Sequence, residues 1–303
     1  MKLHEIGRIC VVGSGTMGHQ IALQFAAHGY DVSITDISKD ALDRARERIM
    51  EVLRHRVEDG KISPESMRES RQRIAYFTGI EEAAANADFV VEAVYEDVEV
   101  KRRVFGQLDA VCAPRTILAS NTSSIRPSLL ADATGRPEKV LAVNFSNPVW
   151  EHPCVEVMGS ADTSEETIET TAQLLRRVGL TSILVEKEIT GYAFNRVWRA
   201  IKREALHLVD GGYASFEDID RAFMFNLGTP SGPFMIMDII GLDVVLAIEE
   251  RYYRESGDER DRPPGILREK VEKGDLGVKT GRGFYQYPDP VFKRPCWLRG
   301  EPA

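Results

Sequence analysis

Near the amino terminus a short apolar run, "RICVV" (8–12), gives way to "GSGTMG" (13–18) and then to a helical pattern, "HQIALQFAAHG", that Gly29 can stop. The next strand-like stretch, "DVSITD", ends on Asp36. A G-x-G-x-x-G alone is a weak pattern. Between a strand and a helix, with an acid closing the following strand, it is a strong one. Gly13 allows the tight turn, Gly15 lets the backbone approach a pyrophosphate, and Gly18 lets helix and strand pack closely, with Thr16 and Met17 opening the helix between them. The helix N-terminus favours negative phosphates. Asp36 is placed to accept hydrogen bonds from the adenosine ribose hydroxyls and to repel a 2′-phosphate, so NAD is expected over NADP. The bland alternative is a tight strand-to-helix turn that holds no cofactor.

Beyond Asp36 the chain keeps alternating. Residues 39–59 and "SPESMRESRQR" read as helices, "DFVVEAV" as a strand, "KRRVFGQLDAVC" as a helix and "TILASNTS" as a strand. "KVLAVNF" and "CVEVMG" are two more strands, "SEETIETTAQLLRRVG" is a helix opened by Ser164, and "TSILVEK" is the last strand. Seven strands alternating with helices predict an α/β fold with a mostly parallel, doubly wound Rossmann-type sheet. After about Lys187 the pattern turns helical: a long helix from "GYAFNRVWRAIKREALHLVDGG", then helices around 216–226, 232–253 and 264–273. The expected organisation is a dinucleotide-binding domain over 1–188 and an all-α domain over 189–303.

The chain carries 47 acidic against 39 basic residues, a formal charge of −8, and lacks the basic footprint expected of a nucleic-acid binder. No apolar run reaches the ~18 residues of a membrane span; "PFMIMDIIGLDVVLAI" is interrupted by Asp238 and Asp243. The chain enters a strand almost at once, which does not read as a signal peptide. Cys10, Cys112, Cys154 and Cys296 form no C-x-x-C pair and no disulfide or metal framework. A reducing, cytoplasmic setting and no metal centre are expected.

"VVGSGTMG", "VVEAVYEDVEVKRRVF", "LASNTSS", "NFSNPVW…VEVM", "GYAFNRV", "GTPSGPF…DIIGLD" and "LGVKTGRGFYQY" together give the chain its identity. In their order and spacing it resembles the L-3-hydroxyacyl-CoA dehydrogenases, including the 3-hydroxybutyryl-CoA type, and is similar to a branch of diketo-compound reductases. The resemblance runs nearly end to end. It implies a homodimer formed through the helical domain, and a small 3-hydroxy or 3-oxoacyl substrate. It implies cofactor contacts at Asp36, Glu96, Lys101, Asn121, Ser123, Asn147 and Lys279. Ser123 and Asn195 match residues that hydrogen-bond the substrate oxygen, and Glu156 matches the carboxylate that holds a catalytic histidine.

That histidine should open the "HFxNP" motif, where this chain has Asn144. Oxidising a 3-hydroxyacyl group sends a hydride to nicotinamide while a base takes the hydroxyl proton; in reverse, an acid protonates the forming alkoxide. Histidine does both because its pKa lies near 7. An asparagine amide can donate a hydrogen bond to a carbonyl oxygen but shuttles no proton, and losing a general acid–base costs roughly 10²–10⁴-fold in rate. His152, in "WEHP", is the nearest alternative base, with a surface loop position as its plainer reading; His55 and His207 read as surface or satisfied helix positions. Three readings stay open: an impaired dehydrogenase, a cofactor-binding protein without turnover, and an enzyme carrying an introduced substitution.

A second departure concerns the CoA handle. The positions matching the family's serine and lysine contacts to CoA are Val52 and Asp59. Arg54, His55 and Arg56, or Arg68, Arg71 and Arg73, offer another register, though such a helix face is more often simply solvated. A CoA thioester and a smaller non-CoA 3-oxo compound therefore both remain as substrates.

Overall fold

The computed structural model describes residues 2–294 and 296–300. The chain divides into two compact units, Met1–Ala193 and Phe194–Ala303.

The first unit is a three-layer α/β structure. Its strands are β1 (Arg8–Val12), β2 (Asp31–Thr35), β3 (Ile74–Phe77), β4 (Phe89–Glu92), β5 (Ile117–Asn121), β6 (Val140–Phe145), β7 (Cys154–Gly159) and β8 (Thr181–Val185). They form one sheet in the order β3-β2-β1-β4-β5-β6-β7-β8. All neighbours are parallel except β6 and β7, which run antiparallel. Its helices are α1 (Gly18–Ala27), α2 (Lys39–Glu58), α3 (Pro64–Gln72), α4 (Ile80–Ala84), α5 (Val98–Val111), α6 (Ser128–Ala131) and α7 (Glu165–Arg177).

Side-chain alternation along β1 shows why both faces are covered. Ile9 and Val11 enter one core with Ile21 and Phe25 of α1, Ile49 and Leu53 of α2, and Leu174 and Leu175 of α7. Cys10 and Val12 enter the other with Ala83 and Ala84 of α4, Phe105 and Leu108 of α5, and Leu130 of α6. A strand buried on both faces needs the near-continuous apolar run that "CVV" supplies. Strand β3 was not among the seven expected. Only Ile74 of its four residues is buried, so its hydrophobic pattern is faint, and it is held as an edge strand by backbone pairing with β2.

The second unit is helical: α8 (Phe194–Asp210), α9 (Phe216–Leu227), α10 (Pro233–Ile240), α11 (Leu242–Ser256) and α12 (Gly265–Glu272). The expected single helix over 232–253 is two helices, because Gly241 at φ 100° breaks the run. Two buried acids organise this unit. The Asp220 carboxylate accepts from the Phe234 and Met235 amides at 2.8 and 3.1 Å, capping α10, and from the Tyr285 hydroxyl at 2.9 Å. Asp238 accepts from the Phe284 and Tyr285 amides, both at 2.9 Å, and from the Tyr287 hydroxyl at 3.0 Å.

Among the described residues, no helix is long and apolar enough to cross a membrane.

Candidate active site

The strand order reverses direction between β1 and β4, and open α/β sheets bind ligands in the crevice outside the carboxyl ends of strands at such a switch point. A cavity of about 600 Å³ opens there. It is lined by Thr16 and Met17 after β1, by Ala93 to Glu96 after β4, by Asn121, Thr122 and Ser123 at the end of β5, and by Asn144 and Phe145 at the end of β6.

The glycine loop on its rim meets the steric demands of a dinucleotide turn. Gly13 has φ 97°, and a Cβ there would lie 2.6 Å from the Ala93 carbonyl oxygen. A Cβ on Gly18 would lie 1.8 Å from the Gly13 oxygen, whereas the space beside Gly15 is open, as a pyrophosphate needs. Asp36 faces this loop: its Oδ2 accepts from the Ser14 amide and hydroxyl, each at 2.9 Å, and its Oδ1 from the Ser38 amide at 3.1 Å. The acid that would hold a ribose is therefore anchored to the turn that would hold the phosphates. The exposed Ile37 side chain follows it.

Glu96 is held in the cavity wall by the Thr122 hydroxyl, the Ser123 amide at 3.2 Å, the Ser124 hydroxyl at 2.8 Å and Lys101 at 3.4 Å. Lys101 itself is not in the lining. It is fully buried, with its Nζ 2.7 Å from Glu92 Oε1 and donating at 3.3 Å to the Asn121 carbonyl. Glu92 also accepts from the Ser120 hydroxyl and the Val94 amide, both at 2.6 Å. Burial pushes the Glu92 carboxyl up from the usual range, against the pull of Lys101 and these donors. Glu92 is a residue the sequence reading passed over; an acid inside the apolar run "FVVEAV" was its one signal.

Asn144 and Glu156 are direct partners across the antiparallel β6–β7 pair. The Asn144 Nδ2 donates to Glu156 Oε2 at 3.1 Å, and the Ala193 amide donates to Glu156 Oε1 at 2.9 Å. Ala193 follows Tyr192, which is fully buried and has a left-handed backbone, φ 54°. The Tyr192 ring packs with Ala142 and Met158, the cross-strand pair one step along the same face from Asn144 and Glu156. Burial, then the negative charges of Glu96 and Glu156, hold its phenol far above the ordinary range, so it stays neutral.

Asn147 accepts from Gln20 Nε2 at 2.8 Å, and Gln20 Oε1 takes the Val149 amide at 3.1 Å, tying this loop to α1. His152 is exposed and is not in the cavity lining. Asn195 and Lys279 lie in the second unit; Lys279 there pairs with Asp243 at 2.5 Å. On α2, Val52 packs against the core, while Asp59, just past its end, pairs with Lys61 at 3.0 Å. Arg73 is engaged by Asp31 at 3.0 Å.

With this geometry established, comparison with known proteins is decisive. Residues 8–189 match "3-hydroxyacyl-CoA dehydrogenase, NAD binding domain", and residues 191–287 match "3-hydroxyacyl-CoA dehydrogenase, C-terminal domain". The chain belongs to the 3-hydroxyacyl-CoA dehydrogenase family. It is 38% identical over 285 residues to a probable 3-hydroxybutyryl-CoA dehydrogenase of Bacillus subtilis, covering 94% of this chain and 99% of that one. Among solved structures it is similar to (S)-3-hydroxybutyryl-CoA dehydrogenase from Ralstonia eutropha, with a TM-score of 0.88 and 34% identity over 94% of this chain and 100% of the other. A diketoreductase is similar too, at a TM-score of 0.84 and 33% identity over 93% and 99% of the two chains. The family is one of NAD-dependent oxidoreductases, and the glycine loop with its anchored Asp36 fits that cofactor.

Proposed function

We propose that the chain interconverts a 3-hydroxy and a 3-oxo short acyl substrate with NAD, and that Asn144 limits its rate. Gly13, Gly15, Thr16, Met17, Gly18 and Asp36 would hold the adenosine and pyrophosphate, and Glu96, Asn121, Ser123 and Asn147 the remainder, with Lys101 supporting Glu96 from below. NAD supplies the hydride acceptor. Ser123 would bind the substrate oxygen, and Glu156 fixes residue 144. The resemblance also implies roles for Asn195 and Lys279, which belong to the second unit.

The observation that carries this reading is the Asn144–Glu156 pair. It keeps a carboxylate in place beneath a residue that lines the cavity but has no group able to take up a proton. The experiment is NADH oxidation with acetoacetyl-CoA and with ethyl acetoacetate, for the chain as it stands and for Asn144→His. We expect the histidine variant to be faster by about 10²–10⁴-fold. Equal rates would mean that the proton comes from elsewhere or that no such reaction occurs.

One observation favours a non-CoA substrate: Val52 is half-buried against the core and has no hydrogen-bonding side chain, and Asp59 is an acid paired with Lys61, so neither position supplies a donor to a CoA phosphate. A better rate with ethyl acetoacetate would decide for it. Homodimerisation through the helical unit is supported by its exposed apolar side chains, among them Phe225, Leu227 and Ile239. A cytoplasmic setting is supported by four free cysteines.

A further inference from the structure

We infer that Glu156, by fixing which end of the Asn144 amide faces the cavity, makes this site a receptor for the hydroxy form of its substrate in preference to the oxo form. The inference rests on the substrate class proposed above. It begins from a pair of N–H groups among those that Glu156 accepts. Ala193 N occupies Oε1 at 2.9 Å and Asn144 Nδ2 occupies Oε2 at 3.1 Å.

Strand β6 lies between β5 and β7. Glu156 is on β7, whereas the cavity residues Asn121 and Ser123 come from the end of β5. Turning Nδ2 toward β7 turns the opposite end of the amide, Oδ1, toward β5 and the cavity. The second Nδ2 hydrogen leaves from the same end of the amide as the first, so Oδ1 is what a ligand on the β5 side meets. An asparagine read from sequence alone offers either a donor or an acceptor; here the structure selects the acceptor.

A hydroxyl donates to such an oxygen. A ketone oxygen cannot, and meets it acceptor to acceptor. The other polar groups do not offset this. The Ser123 hydroxyl, and the Asn195 amide that the resemblance also gives to the substrate oxygen, can each donate or accept and so serve either form. Asn121, whose Oδ1 takes the Phe145 amide at 3.3 Å, is assigned to the cofactor, and Glu96 is another acceptor, already taken up by Thr122, Ser123, Ser124 and Lys101.

The orientation is reversible by one near-isosteric change. In Glu156→Gln, the Ala193 amide still needs an acceptor, so the new side-chain oxygen takes the Oε1 place and the new –NH₂ takes the Oε2 place. That –NH₂ donates to Asn144 Oδ1, the Asn144 amide turns over, and Nδ2 faces the cavity. The preference then passes to the oxo form.

The test is equilibrium binding to the full chain saturated with ADP-ribose, which fills the adenosine half of the site and transfers no hydride. 3-Hydroxybutyryl-CoA with acetoacetyl-CoA, and ethyl 3-hydroxybutyrate with ethyl acetoacetate, are titrated as pairs by calorimetry against the unaltered protein, Glu156→Gln and Asn144→Ala. We expect the hydroxy ligand to bind about tenfold tighter to the unaltered protein. The ratio should invert in Glu156→Gln and fall to about one in Asn144→Ala. Equal affinities, or tighter oxo binding, in the unaltered protein overturn the inference and leave the proposed function standing. Binding of no ligand from either pair sinks the substrate class and the inference with it. Should Glu156→Gln not fold by circular dichroism, the Asn144→Ala ratio still decides: a retained hydroxy preference there overturns the role given to the amide.

Discussion

Both units bury carboxylates, and Glu92 of the first is satisfied in the opposite way to Asp220 and Asp238 of the second. In the first, Glu92 lies against a buried cation, Lys101, which also reaches Glu96 and the Asn121 carbonyl at the cavity. In the second, Asp220 and Asp238 are satisfied only by neutral donors, backbone amides and tyrosine hydroxyls, among the hydrogen bonds described. A buried ion pair is a poor source of net stability, because desolvation offsets the attraction. A carboxylate capping backbone amides fixes chain geometry directly. The contrast between these acids is that Glu92 supports a cavity wall while Asp220 and Asp238 shape the chain; the second unit also buries an ion cluster of its own, Glu249 with Arg199 and Lys202 at 2.9 and 3.4 Å.

The sharpest way to break this contrast is Lys101→Met. Leaving Glu92 buried without its cation should cost about 3–5 kcal/mol in urea denaturation and should weaken NAD binding as well. A loss of stability with unchanged NAD affinity would make the pair purely architectural, like the acids of the second unit.

The next is a pH test on Asp220, whose carboxyl burial pushes up to about 6 from 3.8. A folded-state pKa above the unfolded one means that the folded chain holds this proton more tightly. Its contribution is then fully present below about pH 4 and is lost as pH rises through about 6, on the order of 3 kcal/mol. Asp220→Asn should lack that dependence, so the gap between variant and parent should move in the variant's favour between pH 4 and pH 7. Hydrogen exchange over 216–240 reads the effect in the second unit. A pH-independent gap would show that the amide and tyrosine donors outweigh burial.

The smallest expected effect concerns a third kind of acid, the partly exposed Asp36 tied to Ser14. Asp36→Ser should narrow the preference for NAD over NADP by about tenfold, or about 1.4 kcal/mol. An unchanged ratio of dissociation constants would remove Asp36 from cofactor choice.

Much of the first unit was legible because its signals are local. The glycine spacing, Asp36 and the alternation of apolar runs each state their own constraint, and Asn144 and Glu156 sat in motifs that could be read by eye. What was not legible depends on partners far along the chain. The resemblance gives Lys101 as a cofactor contact, and only the fold shows it turned inward onto Glu92, nine residues back. Asp238 counted in the sequence as an interruption of an apolar run, yet it staples residues 284–287 from 46 positions away. The Ala193 amide is a backbone group and leaves no trace in residue identity, although it decides how Glu156 is held.

That last contact has a consequence for modularity. The family's NAD-binding segment ends at residue 189, but the N–H that fixes Glu156 belongs to residue 193, after the left-handed turn at Tyr192. A recombination or a gene-splitting event at the nominal boundary would carry away the complete sheet and the glycine loop while leaving the clamp on Glu156 behind. In this protein the natural seam between exchangeable parts therefore lies beyond the turn, at the first residue of α8.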